Sequence, residues 1–280
     1  MSSTQILILG AVAGATIFIG LPVGRLSKPS VRLKAALSAM ATGILLFLLY
    51  DVIHGSIEPV DEALTKAVDG GGWVHFAWYV SLFGVAFTVG VMSLVYYDRW
   101  MKHKRNEAML GPGAASAAEF DASWVASLSA SAWLSLLIAT GIGLHNFSEG
   151  LAIGQAGAAG EISLAVVLFI GFGLHNATEG FGIVAPLSGE AVRPSWRFLL
   201  LLGLIGGGPT FVGTLIGQAW VSEPLSIVFL ALAAGSILFV VLELVNVNRR
   251  MASKEFLAWF LLLGLFLGFA TEFVVEAAGV

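Results

Sequence analysis

Eight stretches of this chain are each apolar over about the twenty residues a helix needs to cross ~30 Å of hydrocarbon. They lie near residues 4–23, 34–54, 73–97, 125–152, 161–186, 196–219, 224–246 and 255–277. In lipid every backbone N–H and C=O must find its partner inside the protein, so such a stretch crosses as an α-helix. Composition agrees: 58% of the 280 residues are hydrophobic and 11% are charged, where a soluble domain has about 25% charged. The expectation is an all-α integral membrane protein, multi-pass in the cell membrane, with residues 1–280 forming one transmembrane domain. The first apolar run has no basic leader and reads as a retained span, not a cleaved signal peptide. With no cysteine, disulfides and thiolate-bound metal are excluded. The thin net charge of -4 gives no reason to expect a nucleic-acid partner.

The basic residues orient the spans. Arg25, Lys28, Arg32 and Lys34 follow the first, and Arg99, Lys102, Lys104 and Arg105 follow the third, in a loop over 98–123. Arg193 and Arg197 follow the fifth; Arg249, Arg250 and Lys254 follow the seventh. Thirteen of the fourteen Lys and Arg thus share one side, with Lys66 alone opposite. The positive-inside rule makes that side cytoplasmic and both termini extracytoplasmic. The outer loop at 55–72 is acidic, with Glu58, Asp61, Glu62 and Asp69. His75, Trp73, Trp78, Trp100, Trp196, Trp220 and Trp259 read as interfacial.

No Lys or Arg falls within a span beyond its first two residues, yet the fourth and fifth spans carry acids inside a repeated phrase. Gly143-Leu144-His145-Asn146-Phe147-Ser148-Glu149-Gly150 returns thirty residues later as Gly173-Leu174-His175-Asn176-Ala177-Thr178-Glu179-Gly180. A charged residue at the bilayer centre costs roughly 2.5–3.5 kcal/mol on insertion scales, so each of these needs a neutraliser. Positions i and i+4 share a helix face, so His145 points with Glu149 and His175 with Glu179. Asn146 and Asn176 stand about 100° round, on the flank of the same space. A short turn near Gln155 to Gly160 makes the two spans antiparallel neighbours, with the motifs facing each other near the midplane. Imidazole and carboxylate suit Zn, Fe, Mn or Cd better than Cu(I). Two protonated Glu bonded to His would explain the charge without a metal, but not the duplication. Glycines 141, 143, 150, 154, 171, 173, 180 and 182 permit close packing and leave room for an ion. Ser148 and Thr178 can back-bond to the preceding turn.

With these residues in place, the chain resembles the ZIP (Zrt/Irt-like) family of divalent metal transporters. That family has eight spans, outward termini, and His-Asn-x-Pro-Glu-Gly and His-x-x-Pro-Glu-Gly on its fourth and fifth spans. The resemblance implies metal contact by His145, Asn146, Glu149, His175, Asn176 and Glu179. It implies zinc as the default cargo, movement toward the cytoplasm, and spans one, four, five and six moving against two, three, seven and eight. The chain departs from the pattern. Ser148 and Thr178 replace the motif prolines, Gly208-Pro209 stands where relatives carry Glu-Pro, and the 98–123 loop has only His103. One well-formed metal position is expected ahead of two.

A second repeat is inverted. Ala41, Gly43, Leu46, Phe47 and Asp51 of span two recur as Ala233, Gly235, Leu238, Phe239 and Glu243 of span seven, 192 residues on. Those spans run in opposite directions, as an inverted repeat of spans one to three and six to eight requires, giving a 3+2+3 arrangement. It sets Asp51 and His54 near the outer mouth and Glu243 and Asn246 near the inner one, as stations on the cation pathway. Glu272 and Glu276 read as interfacial. The function expected is alternating-access transport of a divalent metal, with the metal as substrate and not as cofactor. The bilayer is the other partner, and a second copy of the chain is a candidate one. An intramembrane metal-dependent hydrolase is the alternative, disfavoured because no His-Glu-x-x-His run occurs and both Glu serve as ligands, leaving no general base.

Overall fold

The computed structural model describes residues 1–25, 31–110, 128–160, 162–187, 192–219 and 222–277, without the side chains of some helix residues, His175, Thr178 and Glu276 among them. Among the described residues every element is helical. α1 (Ser3–Ala15) breaks at Thr16 and continues through Ile17–Gly20 into a 3-10 turn, Leu21–Arg25. Then come α2 (Val31–Val68), α3 (Trp73–Leu110), α4 (Ala130–Ala159) and α5 (Ile162–Val184). α6 (Trp196–Gly217), α7 (Glu223–Asn248) and α8 (Lys254–Ala277) complete the bundle. Six of these, α1 with its continuation, α2, α3, α4, α6 and α7, are long and apolar enough to cross a membrane. α5 and α8 are helices of 23 and 24 residues.

The helix starts follow from local chemistry. The Ser2 hydroxyl accepts the Gln5 N–H while the Gln5 side chain accepts that of Ser2, a capping box. Ser129 and Ser195 accept the N–H groups of Ala132 and Phe198 at the starts of α4 and α6. Gly160, at φ 84°, ends α4 in the left-handed conformation that glycine adopts freely.

Three expected connections are partly helix instead. α3 runs to Leu110, into the 98–123 loop, and α4 to Ala159, into the turn placed near Gln155 to Gly160. α2 runs on to Val68, so most of the acidic stretch assigned to an outer loop continues the span. Glu62 pairs with Lys66 at 3.3 Å one turn on, and Val60 and Ala63 pack on Tyr79 and Ile227. An apolar-run criterion stops at the first acids; an i, i+4 pair and a packed stripe carry the helix beyond them.

Glycines decide how the helices sort. Within one group, Gly14 and Gly207 meet at the crossing of α1 and α6, each so close that a Cβ would strike the other's carbonyl. Gly150 lies against the Thr210 carbonyl of α6 and Gly180 against the Ile17 carbonyl of the α1 continuation. Within a second group, Gly43 faces Leu261 and Leu265 of α8, and Gly264 faces Met40 of α2. Gly235 faces Phe87 and Val91 of α3, and Gly90 faces Leu232 of α7. The α2–α8 packing thus recurs between α7 and α3 in the same register. All these backbone approaches join helices inside the set α1, α4, α5, α6 or inside the set α2, α3, α7, α8. Across the two sets, the glycine contact among the described residues is looser: an ideal Cβ on Gly141 of α4 would stand 3.5 Å from the Ser236 Cβ of α7, ordinary van der Waals distance. A core cluster that includes Leu45, Leu48, Ile138, Ile142, Ile183, Val240 and Leu244 fills the space between the sets.

Candidate functional site

The repeated phrase lies on α4 and α5, deep in the bundle. His145, Asn146, Glu149, Asn176 and Glu179 are each at most 4% exposed, and neither helix contains Lys or Arg. Along α4, His145 Nε2 lies 3.2 Å from Glu149 Oε1, the i, i+4 contact that the spacing predicts. Across the helix pair, Asn146 Nδ2 donates to Glu179 Oε2 at 3.0 Å, tying the first copy of the phrase to the second. Asn176 in turn lies within reach of Glu149. The His175 side chain falls outside the described residues.

The two asparagines are anchored by backbone that sequence reasoning did not assign. Asn146 Nδ2 also donates to the Gly206 carbonyl of α6 at 3.0 Å, and Asn176 Nδ2 donates to the Ala13 carbonyl of α1 at 3.1 Å. The Ala13 carbonyl sits at the break in α1, and the Gly206 carbonyl lies inside the continuous α6, three residues before a proline. α6 carries Pro209 inside it, which lacks an N–H for the preceding turn. α1 breaks at Thr16, whose hydroxyl donates to the Ala13 carbonyl at 2.7 Å. Thr16 and Pro209, Ala13 and Gly206, and Ile17 and Thr210 each stand 193 residues apart. The motif is held from both sides by matched halves of the bundle. The carbonyl that Pro209 deprives of its helix donor is that of Ile205, four residues back, so neither Pro209 nor anything around Thr16 announced these anchors.

Because each amide N donates to a carbonyl, which can only accept, each amide oxygen is left facing the other way. Asn146 Oδ1, Asn176 Oδ1 and Glu149 Oε2 are buried with no hydrogen-bond partner among the described residues. Leaving such atoms unmet costs about 1–3 kcal/mol each. They are oxygen donors of the kind a divalent cation takes, beside an imidazole and carboxylates. Among the described residues no three His, Cys, Asp or Glu side chains already form a closed ligand set. With Glu179 held by Asn146, a cation at the site draws on amide oxygens, or the carboxylates turn to meet it. Replacing Asn146 by Ala removes both an oxygen donor and the tie to Glu179, so metal affinity should fall at least about tenfold, the scale of losing a supporting partner; calorimetry on the purified protein reads it.

A family model described as ZIP zinc transporter matches residues 99–276, more than half of the chain. The chain belongs to the ZIP family. It is a multi-pass membrane protein of a family that transports zinc and other divalent metal cations, not a family of enzymes. The match covers both copies of the ZIP motif, α6 with its Gly208-Pro209, and the α7–α8 pair.

The remaining residues singled out from the sequence are spread over the second set of helices. Asp51 of α2 is half-buried and close enough to feel the charges of His145, His54 and Glu272, and Glu149 feels Asp51 in turn. His54 is exposed one turn further out, its ring stacked at 6.2 Å on Tyr50. Glu272 of α8, expected to be merely interfacial, is therefore part of the same electrostatic neighbourhood. On α7, Glu243 is half-buried and Asn246 is exposed. The buried amide there is Asn248, which donates to Thr42 Oγ1 of α2 at 2.9 Å.

Proposed function

We propose that this ZIP protein carries zinc toward the cytoplasm, by alternating access, through a site built from His145, Asn146, Glu149, His175, Asn176 and Glu179. The observation that carries this reading is the cross-helix bond from Asn146 to Glu179, with each motif asparagine braced on a backbone carbonyl of α1 or α6. Discontinuous spans are a recurring feature of transporter ion sites, and the break in α1 at Thr16 lies beside the Asn176 anchor. Iron, manganese and cadmium share the donor preference and compete with zinc in this reading.

All eight long helices span the membrane in this proposal, as one transmembrane domain of the cell membrane, with the basic loops cytoplasmic and both termini outside. Two contacts support it. Arg25, at the end of the α1 continuation, donates to the Pro194 carbonyl and lies 4.6 Å over the Trp196 ring at the start of α6, bringing two of the basic segments to one end. Toward the opposite end, Tyr79 donates to Glu223 at 2.8 Å. The inverted repeat is supported by the recurring α2–α8 and α7–α3 packing and by the matched anchors at Ala13 and Gly206.

The set α1, α4, α5, α6 carries every proposed ligand, and its internal glycine contacts make it one stiff body. The set α2, α3, α7, α8 is the frame against which it moves, with looser contacts between the two. Every proposed ligand comes from one chain, with a second copy as a candidate partner. Asp51, with His54 and Glu272, gathers the cation on the outer side. The register that pairs α2 with α7 and α8 with α3 sets Glu243 and Asp98 at the opposite end, where Asn246 also stands.

Uptake of a metal panel into proteoliposomes tests the cargo and the direction. Zinc influx is expected, and turnover of lipid or peptide without metal flux would contradict the proposal. Asp51→Ala or Glu243→Ala should slow transport several-fold with midplane affinity nearly intact; an unchanged rate for both would remove them from the pathway. Imidazole and carboxylate bind metal only after losing their protons, so uptake should fall as pH drops from neutral toward 5. A flat or rising profile would point to another neutraliser.

A further inference from the structure

On the flank of the bundle, α4, α6 and α7 enclose a crevice of about 530 Å³, within the range of small-molecule sites. Two glycines make its floor. Gly143 lies against the Ile205 carbonyl, and Gly208 has nothing within 4 Å of where a Cβ would stand. Leu144 lines the α4 side. Leu204 and Val212 of α6, 55% and 45% exposed, form an open rim. Phe147 of α4 and Phe229 of α7 close one end, their rings 4.5 Å apart. The one hydroxyl in the lining, Thr140, is spent on the Leu136 carbonyl of its own helix.

We propose that this crevice seats an acyl chain of a bilayer phospholipid. Its α4 residues Gly143 and Leu144 immediately precede His145, so it opens at the depth of the motif, where the surroundings are hydrocarbon. A polar ligand or a water there would give up hydrogen bonds and find at most the Thr140 oxygen in return. A chain in the crevice touches protein on three sides, where a smooth flank such as Leu263 and Phe266 of α8 offers one, so dispersion favours the crevice. The absence of a side chain at Gly208 is what leaves the space. α4 and α6 belong to the set that carries the site and Phe229 to the frame, so a seated chain bridges the border between them. Its effect on transport rests on the two-set reading above; its binding does not.

The test uses the full chain in nanodiscs of phosphatidylcholine bearing a mid-chain diazirine, with photo-adducts mapped by peptide mass spectrometry. Adducts on the Leu144, Leu204 and Val212 peptides should exceed those around Leu263 and Phe266 roughly tenfold, a preference of about 1.4 kcal/mol. Gly208→Leu, whose Cβ meets no atom within 4 Å, fills the floor and should bring crevice labelling down to the α8 level, with α8 labelling unchanged. Val212→Trp, at the exposed rim, should block the mouth and do the same. Equal labelling of crevice and α8 in the wild type, or labelling that survives both substitutions, overturns the seat. So does a non-lipid apolar molecule extracted from the purified protein with no lipid adducts in the crevice. In proteoliposomes, methyl-branched chains should slow wild-type uptake several-fold against straight ones and leave Gly208→Leu insensitive. Labelling as expected with no such slowing would keep the seat and contradict the bridging of the two sets.

Discussion

Replacing Glu149 and Glu179 together by Ala reduces metal uptake to the level of empty liposomes, whatever the metal. Each carboxylate is at most 4% exposed, and no Lys or Arg occurs in α4 or α5 to hold it there. Removing both takes away the negative charge that compensates a dication for its lost water. Losing a mere supporting partner costs about 10–100-fold in affinity; losing two charged ligands should exceed that, and zinc binding by calorimetry should disappear. The double variant should nevertheless fold, since deleting two acids from an apolar core relieves a burial cost. A folded double variant that still transports would exclude these carboxylates as ligands.

A disulfide between Gly141→Cys and Ser236→Cys arrests transport, and a reductant restores it. The ideal Cβ of Gly141 stands 3.5 Å from the Ser236 Cβ, at the near edge of the ~3.5–4.5 Å range that disulfides adopt. The chain has no cysteine of its own, so the pair can be read without background. Gly141 rides on the set carrying the site and Ser236 on the frame, so the bond pins one to the other. The control is Ser3→Cys with Gln218→Cys, joined by a short thiol-reactive cross-linker because the parent contact of 2.7 Å, inside a single set, is made by the far end of the glutamine and not at Cβ. That cross-link should leave uptake nearly unchanged. Uptake that continues with the first pair fully oxidised would mean that the sets do not move past each other here.

What the sequence disclosed and what it hid follow from the range over which each interaction acts. The pairing of His145 with Glu149 was legible because helical periodicity alone puts them on one face. The absence of basic residues from the spans could be counted directly. The bond from Asn146 to Glu179 was half legible: the short turn made α4 and α5 neighbours, but nothing local said which asparagine would reach which acid. The carbonyls of Ala13 and Gly206 are invisible to any reading by residue type, since every residue has one. The glycine-rich composition announced close packing without naming partners. That Gly14 meets Gly207 while Gly43 meets Leu261 depends on how the whole bundle is wound. The helical run of α2 beyond the first acids was missed for the opposite reason, because a hydropathy window ignores the Glu62–Lys66 pair.

The measurement that bears most directly on the account is anomalous scattering from crystals grown with cadmium or zinc. It should show one dominant peak between α4 and α5, within bonding distance, about 2.0–2.4 Å, of oxygens from Glu149 and Glu179 and of an imidazole nitrogen. A bundle that binds the metal only at its surface, with those side chains pointing apart and the space between the two motifs filled by apolar groups, would contradict it.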